Sequence, residues 1–254
     1  MNCNQLYLST IDPKAGALAR KYGLGVEIAD YCTAMNMDES FEATDAALRD
    51  RLTGVSRRLF HGPFNELFPC AIDPLAKRLA DYRYGQALAL SKTYGAGKLI
   101  LHGGYNPRMY YPCWYVEQSI IFWRSFLESH PGDYEFCLEN VLEEEPELLR
   151  SIVSQVGDPR LRLCLDVGHV NAYSAVSAGA WMDCWGEFLS HVHLHNNDGT
   201  ADTHSALNQG TLQMNALIAA LPQNATATLE LPEIGESISW LTDNALLSPQ
   251  YVKL

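Results

Sequence analysis

Short β-branched or aliphatic runs alternate with longer amphipathic stretches along the whole chain, a pattern that predicts a repeated strand–helix unit. Candidate strands cover residues 6–8, 25–29, 58–61, 98–102, 135–139, 162–166, 192–195 and 226–231. Helical patterns lie between them. Leu75, Leu79, Tyr82, Ala89 and Leu90 fall on one helix face after Pro74, and Leu148, Leu149, Ile152 and Val156 do so after Pro146. Proline near a helix start is favourable because its missing N–H would be unpaired there anyway. Eight strands, each followed by a helix or a long loop, match the repeating unit of an α/β protein of the (β/α)8 TIM-barrel type. An open doubly wound sheet is the competing arrangement, but no Gly-x-Gly-x-x-Gly turn follows any strand. No linker or low-complexity segment interrupts residues 1–254, so one barrel domain is expected over that span.

Composition narrows the partners. Apolar residues make up 47% of the chain and charged ones 19%, an ordinary globular balance. The formal net charge is -12, and no Lys/Arg cluster exceeds a pair such as Arg57-Arg58 or Lys77-Arg78. An acidic surface repels phosphate backbones, which speaks against a nucleic-acid partner and for a small molecule. Seven cysteines, an odd number without a Cys-x-x-Cys pair, suit a reducing compartment rather than a disulfide framework. Neither a signal-peptide pattern at the N-terminus nor an apolar stretch able to cross a bilayer is visible, so the cytoplasm is the expected location.

Candidate chemistry gathers at strand ends. His61, His102, Glu139, Asp166 (with His169 just beyond), His193 and Glu230 each stand where a strand finishes. In a barrel those ends converge on one rim, the rim that carries the active site. A lone histidine there is more often a hydrogen-bonded structural residue. A carboxylate closing an apolar run is different. Glu139 ends Phe136-Cys137-Leu138, Asp166 ends Leu163-Cys164-Leu165, and Glu230 follows Leu229. A charge so placed must be paired, metal-bound or neutralised. The Glu143-Glu144-Glu145 run reads instead as charge on a solvated helix start.

The segments Leu138-Glu139-Asn140, Leu165-Asp166-Val167-Gly168-His169 and His191-Val192-His193-Leu194-His195 resemble the xylose-isomerase-like TIM barrels, with similarity extending from Leu6 through Leu231. That superfamily includes sugar and sugar-phosphate isomerases and epimerases, together with apurinic-site endonucleases. The resemblance implies a metal shell of Glu139, Asp166, His193 and Glu230, with His169 beside it contacting substrate. Mn²⁺, Mg²⁺ and Zn²⁺ all suit such a set. His191, His193 and His195 alternate onto one strand face, so His195 is the competing seventh-strand ligand. The endonuclease branch adds further ligands, for which His61, His102, His169, Asp202 and His204 are candidates. Two positions depart from the family pattern: Asn196 stands where Asp is common, and Asn208 replaces a glycine of the Leu-Gly-x-Gly turn, where it is expected to take a positive φ. The loop after the fourth strand carries Tyr105, Tyr110, Tyr111, Trp114 and Tyr115, suited either to a sugar face or to packing, including packing in a homo-oligomer.

The expected activity is a divalent-metal-dependent sugar or sugar-phosphate isomerase or epimerase. Glu139 and Glu230 would move a proton through an enediolate, and His169 would bind a substrate oxygen. The competing activity is a multinuclear phosphodiesterase of the apurinic-site endonuclease type, and a non-catalytic metal-binding barrel is the third. The acidic charge favours the first.

Overall fold

A computed structural model describes residues 2–247. Eight parallel strands close into a barrel in sequence order, β1 pairing with both β2 and β8. They are β1 (Leu6–Ser9), β2 (Gly25–Ile28), β3 (Arg58–His61), β4 (Lys98–His102), β5 (Glu135–Glu139), β6 (Leu161–Asp166), β7 (Leu189–Leu194) and β8 (Thr226–Leu229). The protein is thus a (β/α)8 TIM barrel. Every strand lies where the sequence predicts one, and the differences are at ends. β7 begins three residues early because Leu189 and Ser190 extend the pairing below His191, and β8 stops at Leu229, before Glu230.

The strands read as continuous apolar runs because both faces are buried. Alternate residues nevertheless serve different cores. Leu6, Leu8, Val26, Ile28, Phe60, Leu99, Leu101, Phe136 and Leu138 belong to the large cluster shared with the helices. Tyr7, Leu59, Ile100, Cys137 and Cys164, at the intervening positions, form a small cluster inside the barrel. Burial of each such Leu or Phe stabilises the fold by roughly 1.5–3 kcal/mol. Moving along a strand from an intervening position by two residues leads to the polar groups at its end: Leu59 to His61, Ile100 to His102, Cys137 to Glu139, Cys164 to Asp166.

The outer layer comprises α1 (Ala15–Tyr22), α2 (Ala34–Met37), α3 (Phe41–Arg51), α4 (Pro74–Thr93), α5 (Pro112–Ser129), α6 (Glu147–Val156), α7 (Val167–Tyr173), α8 (Ala178–Trp185), α9 (Met214–Ala220) and α10 (Gly235–Asp243). Asp73 caps α4 by accepting from Leu75 N–H at 2.7 Å, with Pro74 in the first turn. The face predicted for α4 is not the buried one. Leu75 and Tyr82 are 65% and 61% exposed, and Leu79 and Ala89 are also exposed. The helix instead buries Ala80, Tyr84, Ala87, Leu88 and Ser91. On that face Tyr84 stacks on Trp123 of α5 at 5.7 Å. In α6 the predicted face is the packed one, with Leu149 and Ile152 fully buried. No helix among the described residues is long and apolar enough to cross a membrane.

Candidate metal centre

Strand register sets the site. His102 lies level with Glu139 across β4 and β5, and Asp166 lies level with His193 across β6 and β7. Glu230, one residue past β8, and His61, the last of β3, close the ring. Residues distant in sequence thereby meet on one rim.

Glu139 is the hub. Its Oε2 lies 3.1 Å from His61 Nε2 and 3.6 Å from His102 Nε2. Its Oε1 lies 3.2 Å from His193 Nδ1 and 3.5 Å from His169 Nδ1. His193 Nδ1 is in turn 3.1 Å from Glu230 Oε2 and 3.7 Å from Asp166 Oδ2. Glu139, Asp166, His193 and Glu230 therefore surround a common point. His195 is differently engaged, its Nε2–H donating to the Asp166 carboxylate at 2.9 Å while its ring stacks on His204 at 4.0 Å. Of the two histidines, His193 is the one aimed at the shared point.

Two further groups flank the hub. His61, His102 and Glu139 form one, His169, Asp202 and His204 the other, each with its ligand atoms within 4.8 Å. Asp202 Oδ2 lies 3.2 Å from His169 Nε2 and 3.1 Å from His204 Nε2. Asp202 thus bridges His169 and His204. His204 sits at φ 46°, a left-handed conformation that costs a non-glycine residue about 1 kcal/mol or more. It is held there by Glu230, whose carbonyl accepts from His204 Nδ1–H at 2.8 Å.

The donor set fits a cation. Glu139 Oε1, His193 Nδ1, His195 Nδ1 and Asp202 Oδ1 are buried without a hydrogen-bond partner among the described residues, and such atoms are costly unless something binds them. The orienting contacts agree. His61 Nδ1–H donates to the Gly62 carbonyl at 2.9 Å, and His169 Nδ1–H to that of Asn140 at 2.8 Å, leaving each Nε2 facing the site. Burial alone would raise the Glu139 and Asp166 carboxyls. The charge of His193 and its hydrogen bond bring Glu139 well below the usual range, and the charge of His169 with the hydrogen bond from His195 holds Asp166 at about 2. Burial works against charge on His169 and His204 too, yet neighbouring carboxylates raise them to about 10 and about 9, while burial prevails at His102 and lowers it to about 4. Glu139, Asp166, His169 and His204 thus stay in the charge states that neighbouring opposites dictate, and His102 does not.

Other expectations resolve locally. Tyr105, Tyr110 and Tyr115 are buried, Tyr105 packing on Tyr115 at 4.7 Å, and Trp114 donates to the Cys70 carbonyl at 2.9 Å. Of these five aromatic residues only Tyr111 is widely exposed, so the rings of this loop serve packing. Glu144 and Glu145 are solvated, but Glu143 is buried because its carboxylate accepts from Tyr115 Oη at 2.9 Å and from Val141 N–H at 2.8 Å. Asn208 is not at positive φ; it lies on the surface and donates to Glu236, and the positive φ of this loop falls on His204 and Gly199. Asn196 has a role Asp could not fill. Its amide donates to the Leu207 carbonyl at 2.9 Å while its oxygen accepts from Leu212 N–H at 3.1 Å, bracing the loop that carries Asp202.

One buried carboxylate escapes a search of strand ends. Glu27 sits in the middle of β2, fully buried, with His193 Nε2 at 3.0 Å and His191 Nε2 at 3.0 Å. The signal was present, a charge inside the apolar run Gly25-Val26-Glu27-Ile28. Cys32, whose Sγ lies 3.3 Å from His61 Nδ1, carries no comparable signal.

Comparison with known proteins agrees with this architecture. The uncharacterized protein MJ1311 of Methanocaldococcus jannaschii is 24% identical over 174 residues, covering 64% of this chain and 59% of that protein's length. The TTHB071 protein of Thermus thermophilus, solved after soaking with ZnCl2, is 24% identical, with a TM-score of 0.74 over 95% of this chain and 98% of that one. A D-tagatose 3-epimerase-like protein is 18% identical, with a TM-score of 0.74 over 95% and 97% of the two chains. The model of the xylose isomerase-like TIM barrel family matches residues 17–244. With nearly the whole barrel inside that match, the chain belongs to the xylose isomerase-like TIM barrel family.

Proposed function

We propose that this protein is a divalent-metal-dependent isomerase or epimerase of a small, uncharged sugar, in which Glu139 and Glu230 move the proton. The observation that carries this reading is the convergence of both carboxylates on one buried point, at 3.2 and 3.1 Å from His193 Nδ1. Glu139, Asp166, His193 and Glu230 would hold the ion. Bound there, a divalent ion supplies Lewis acidity to the oxygens of a hydroxycarbonyl substrate.

The residues supply the rest. A carboxylate kept ionised by neighbouring imidazoles is a competent acceptor for a proton on carbon. Removal of a C–H proton next to a carbonyl by one carboxylate would leave an enediolate; the other, entering the step with a proton taken from solvent, would return it to the opposite face and invert the carbon, and loss of the first proton to solvent would reset the pair. Return to the neighbouring carbon gives isomerisation instead. Glu139 is pinned by His61, whereas Glu230 is the more open of the two, with 9% side-chain exposure against 1%. Glu230 is thus the better placed to exchange its proton with solvent. His169 sits beside Glu139 and Asp166, where a charged imidazole can donate to a substrate oxygen once it leaves Asp202.

The mouth of the barrel selects against phosphate. The loops that follow the strands carry Asp12, Asp30, Glu66, Asp73, Glu143, Glu144, Glu145, Asp198, Asp202, Glu230 and Glu233, against Lys14 and Arg108, both exposed, with Arg51 of α3 pairing with Asp30 and His204 with Asp202. A phosphorylated sugar or a nucleic acid would meet net negative charge there. The D-tagatose 3-epimerase-like structure has the same barrel, and its name points to the same substrate class.

The test is deuterium incorporation. Protein loaded with Mn²⁺, Mg²⁺ or Zn²⁺ and incubated with free ketoses and aldoses in D2O should place solvent deuterium on the carbon that changes. The flanking triads favour a second reading, phosphodiester hydrolysis at a multinuclear centre. Elemental analysis giving close to three ions per chain, together with cleavage of an abasic-site duplex and no exchange into any sugar, would replace the first reading with the second.

A further inference from the structure

Glu27 lies below the proposed ion position and does not belong to the carboxylates that ring it. Its carboxylate receives three donors: His193 Nε2–H at 3.0 Å on Oε1, and His191 Nε2–H at 3.0 Å with Thr228 Oγ1–H at 2.6 Å on Oε2. Glu27 fixes the direction of these bonds, because an ionised carboxylate only accepts. His191 Nε2, which faces it at 3.0 Å, must carry a hydrogen, and in the neutral imidazole that leaves Nδ1 as an acceptor for Thr226 Oγ1–H at 2.7 Å. Thr226 Oγ1 accepts in turn from Lys98 Nζ at 3.0 Å. Lys98 is itself anchored at the opposite end of the barrel by Ser190 Oγ at 2.8 Å and Glu135 Oε1 at 3.1 Å. Hydrogen bonds therefore run up the barrel axis from Lys98 through Thr226 and His191, all polarised toward Glu27.

We propose that Glu27 is a positioning residue for the metal centre: as an acceptor-only carboxylate locked by His191 and Thr228, it fixes the proton of His193 on Nε2 and turns the Nδ1 lone pair to the ion. An acceptor carboxylate behind a ligating imidazole sets its tautomer and ring angle and makes it a stronger donor to the metal. The unpartnered state of His193 Nδ1, on the far side of the ring from Glu27, is what this arrangement leaves. Glutamine at position 27 removes the charge and cannot accept all three donors. With its oxygen kept toward His191 and Thr228, its amide would face His193 Nε2 and drive the proton onto the metal-facing nitrogen.

This inference rests on the proposed reading only in taking His193 as a metal ligand, and binding measurements separate the two. Zinc affinity of wild-type and E27Q apoprotein is measured by competition with a chromogenic chelator, with circular dichroism and thermal unfolding confirming that both are folded. E27Q is expected to bind zinc about 10- to 100-fold more weakly. A folded E27Q that binds within twofold of wild type overturns the inference and leaves the metal reading standing, whereas wild type that takes up no zinc overturns both. Should E27Q not fold, ¹⁵N-resolved imidazole spectra of zinc-loaded wild type decide. A retained His193 Nε2–H with zinc on Nδ1 supports the role of Glu27, and zinc on Nε2 overturns it.

Discussion

At the scale of single residues, Glu139 joins the two requirements of the proposed chemistry, since one oxygen faces His61 and His102 and the other faces His193. Glu139→Gln keeps the volume but loses a charge from the shared point and an acceptor from the proton path. Solvent deuterium exchange into substrate is expected to fall by about 10²–10⁴-fold, the range for losing a positioned acid–base group. Exchange at the wild-type rate would refute the assignment. Gly168 offers a test that leaves every donor in place. A Cβ there would lie 1.9 Å from His195 Cε1, so Gly168→Ala must displace the imidazole that donates to Asp166. Overpacking of this kind costs about 1–3 kcal/mol, and thermal unfolding together with zinc titration should show both lower stability and weaker binding. Charge against an apolar run made Glu139, Asp166 and Glu230 legible in the sequence. Glu27 obeys the same rule and was hidden only by its place mid-strand, while the orientation of His193 relative to His195 depended on ring geometry that periodicity cannot supply.

At the scale of elements, the strands were legible and the helix faces only in part. Parallel strands buried on both sides announce themselves as short apolar runs, and all eight appear as expected. Helix α4 misleads because Leu75, Leu79 and Tyr82 point outward, while Ala80, Tyr84, Ala87, Leu88 and Ser91 make the buried face. The lower end of the barrel likewise holds what no motif marks, the Lys98–Glu135 pair at 3.1 Å bridging β4 and β5 to Ser190 of β7. Removing one partner of a mostly buried pair costs about 3–5 kcal/mol, so Lys98→Met is expected to lose stability near the lower bound, Glu135 being partly solvated. Burial alone would raise the Glu135 carboxyl, but Lys98 and Ser190 bring it below its ordinary value. The sign follows: its stabilising contribution is complete above the unfolded carboxylate range near pH 4.5 and disappears as pH falls through the lower folded value. Chemical denaturation of wild type between about pH 6 and pH 3 should show this acid loss, and the Lys98→Met variant should show less of it.

At the scale of the whole molecule, charge ties stability to ligand choice. Glu139, Asp166, Asp202 and Glu230 gather at one rim of the barrel, with Glu27 beneath them, in a protein whose formal net charge is -12, and the surrounding loops add more acids than bases. A divalent ion held there, as proposed, would neutralise charge that the fold otherwise confines, and would favour the native state, in which these ligands converge. At a free concentration about a hundred times the dissociation constant, such binding adds about 2.7 kcal/mol. For a chain of this length that corresponds to a rise in Tm of about 5–10 °C, reversed by chelation and abolished when Glu139 and Asp166 are both changed to their amides. The same field acts on substrates. An uncharged sugar neither gains nor loses by approaching an acidic mouth, so kcat/KM should stay nearly flat between about 0.05 and 0.5 M salt, where the screening length shortens severalfold. A phosphorylated substrate must cross that repulsion, and screening would raise its kcat/KM as salt is added. Salt dependence therefore reads out the substrate's charge even before its identity is known: a steep rise would show that the acidic rim is a barrier the true substrate has to overcome, contrary to the uncharged sugar proposed.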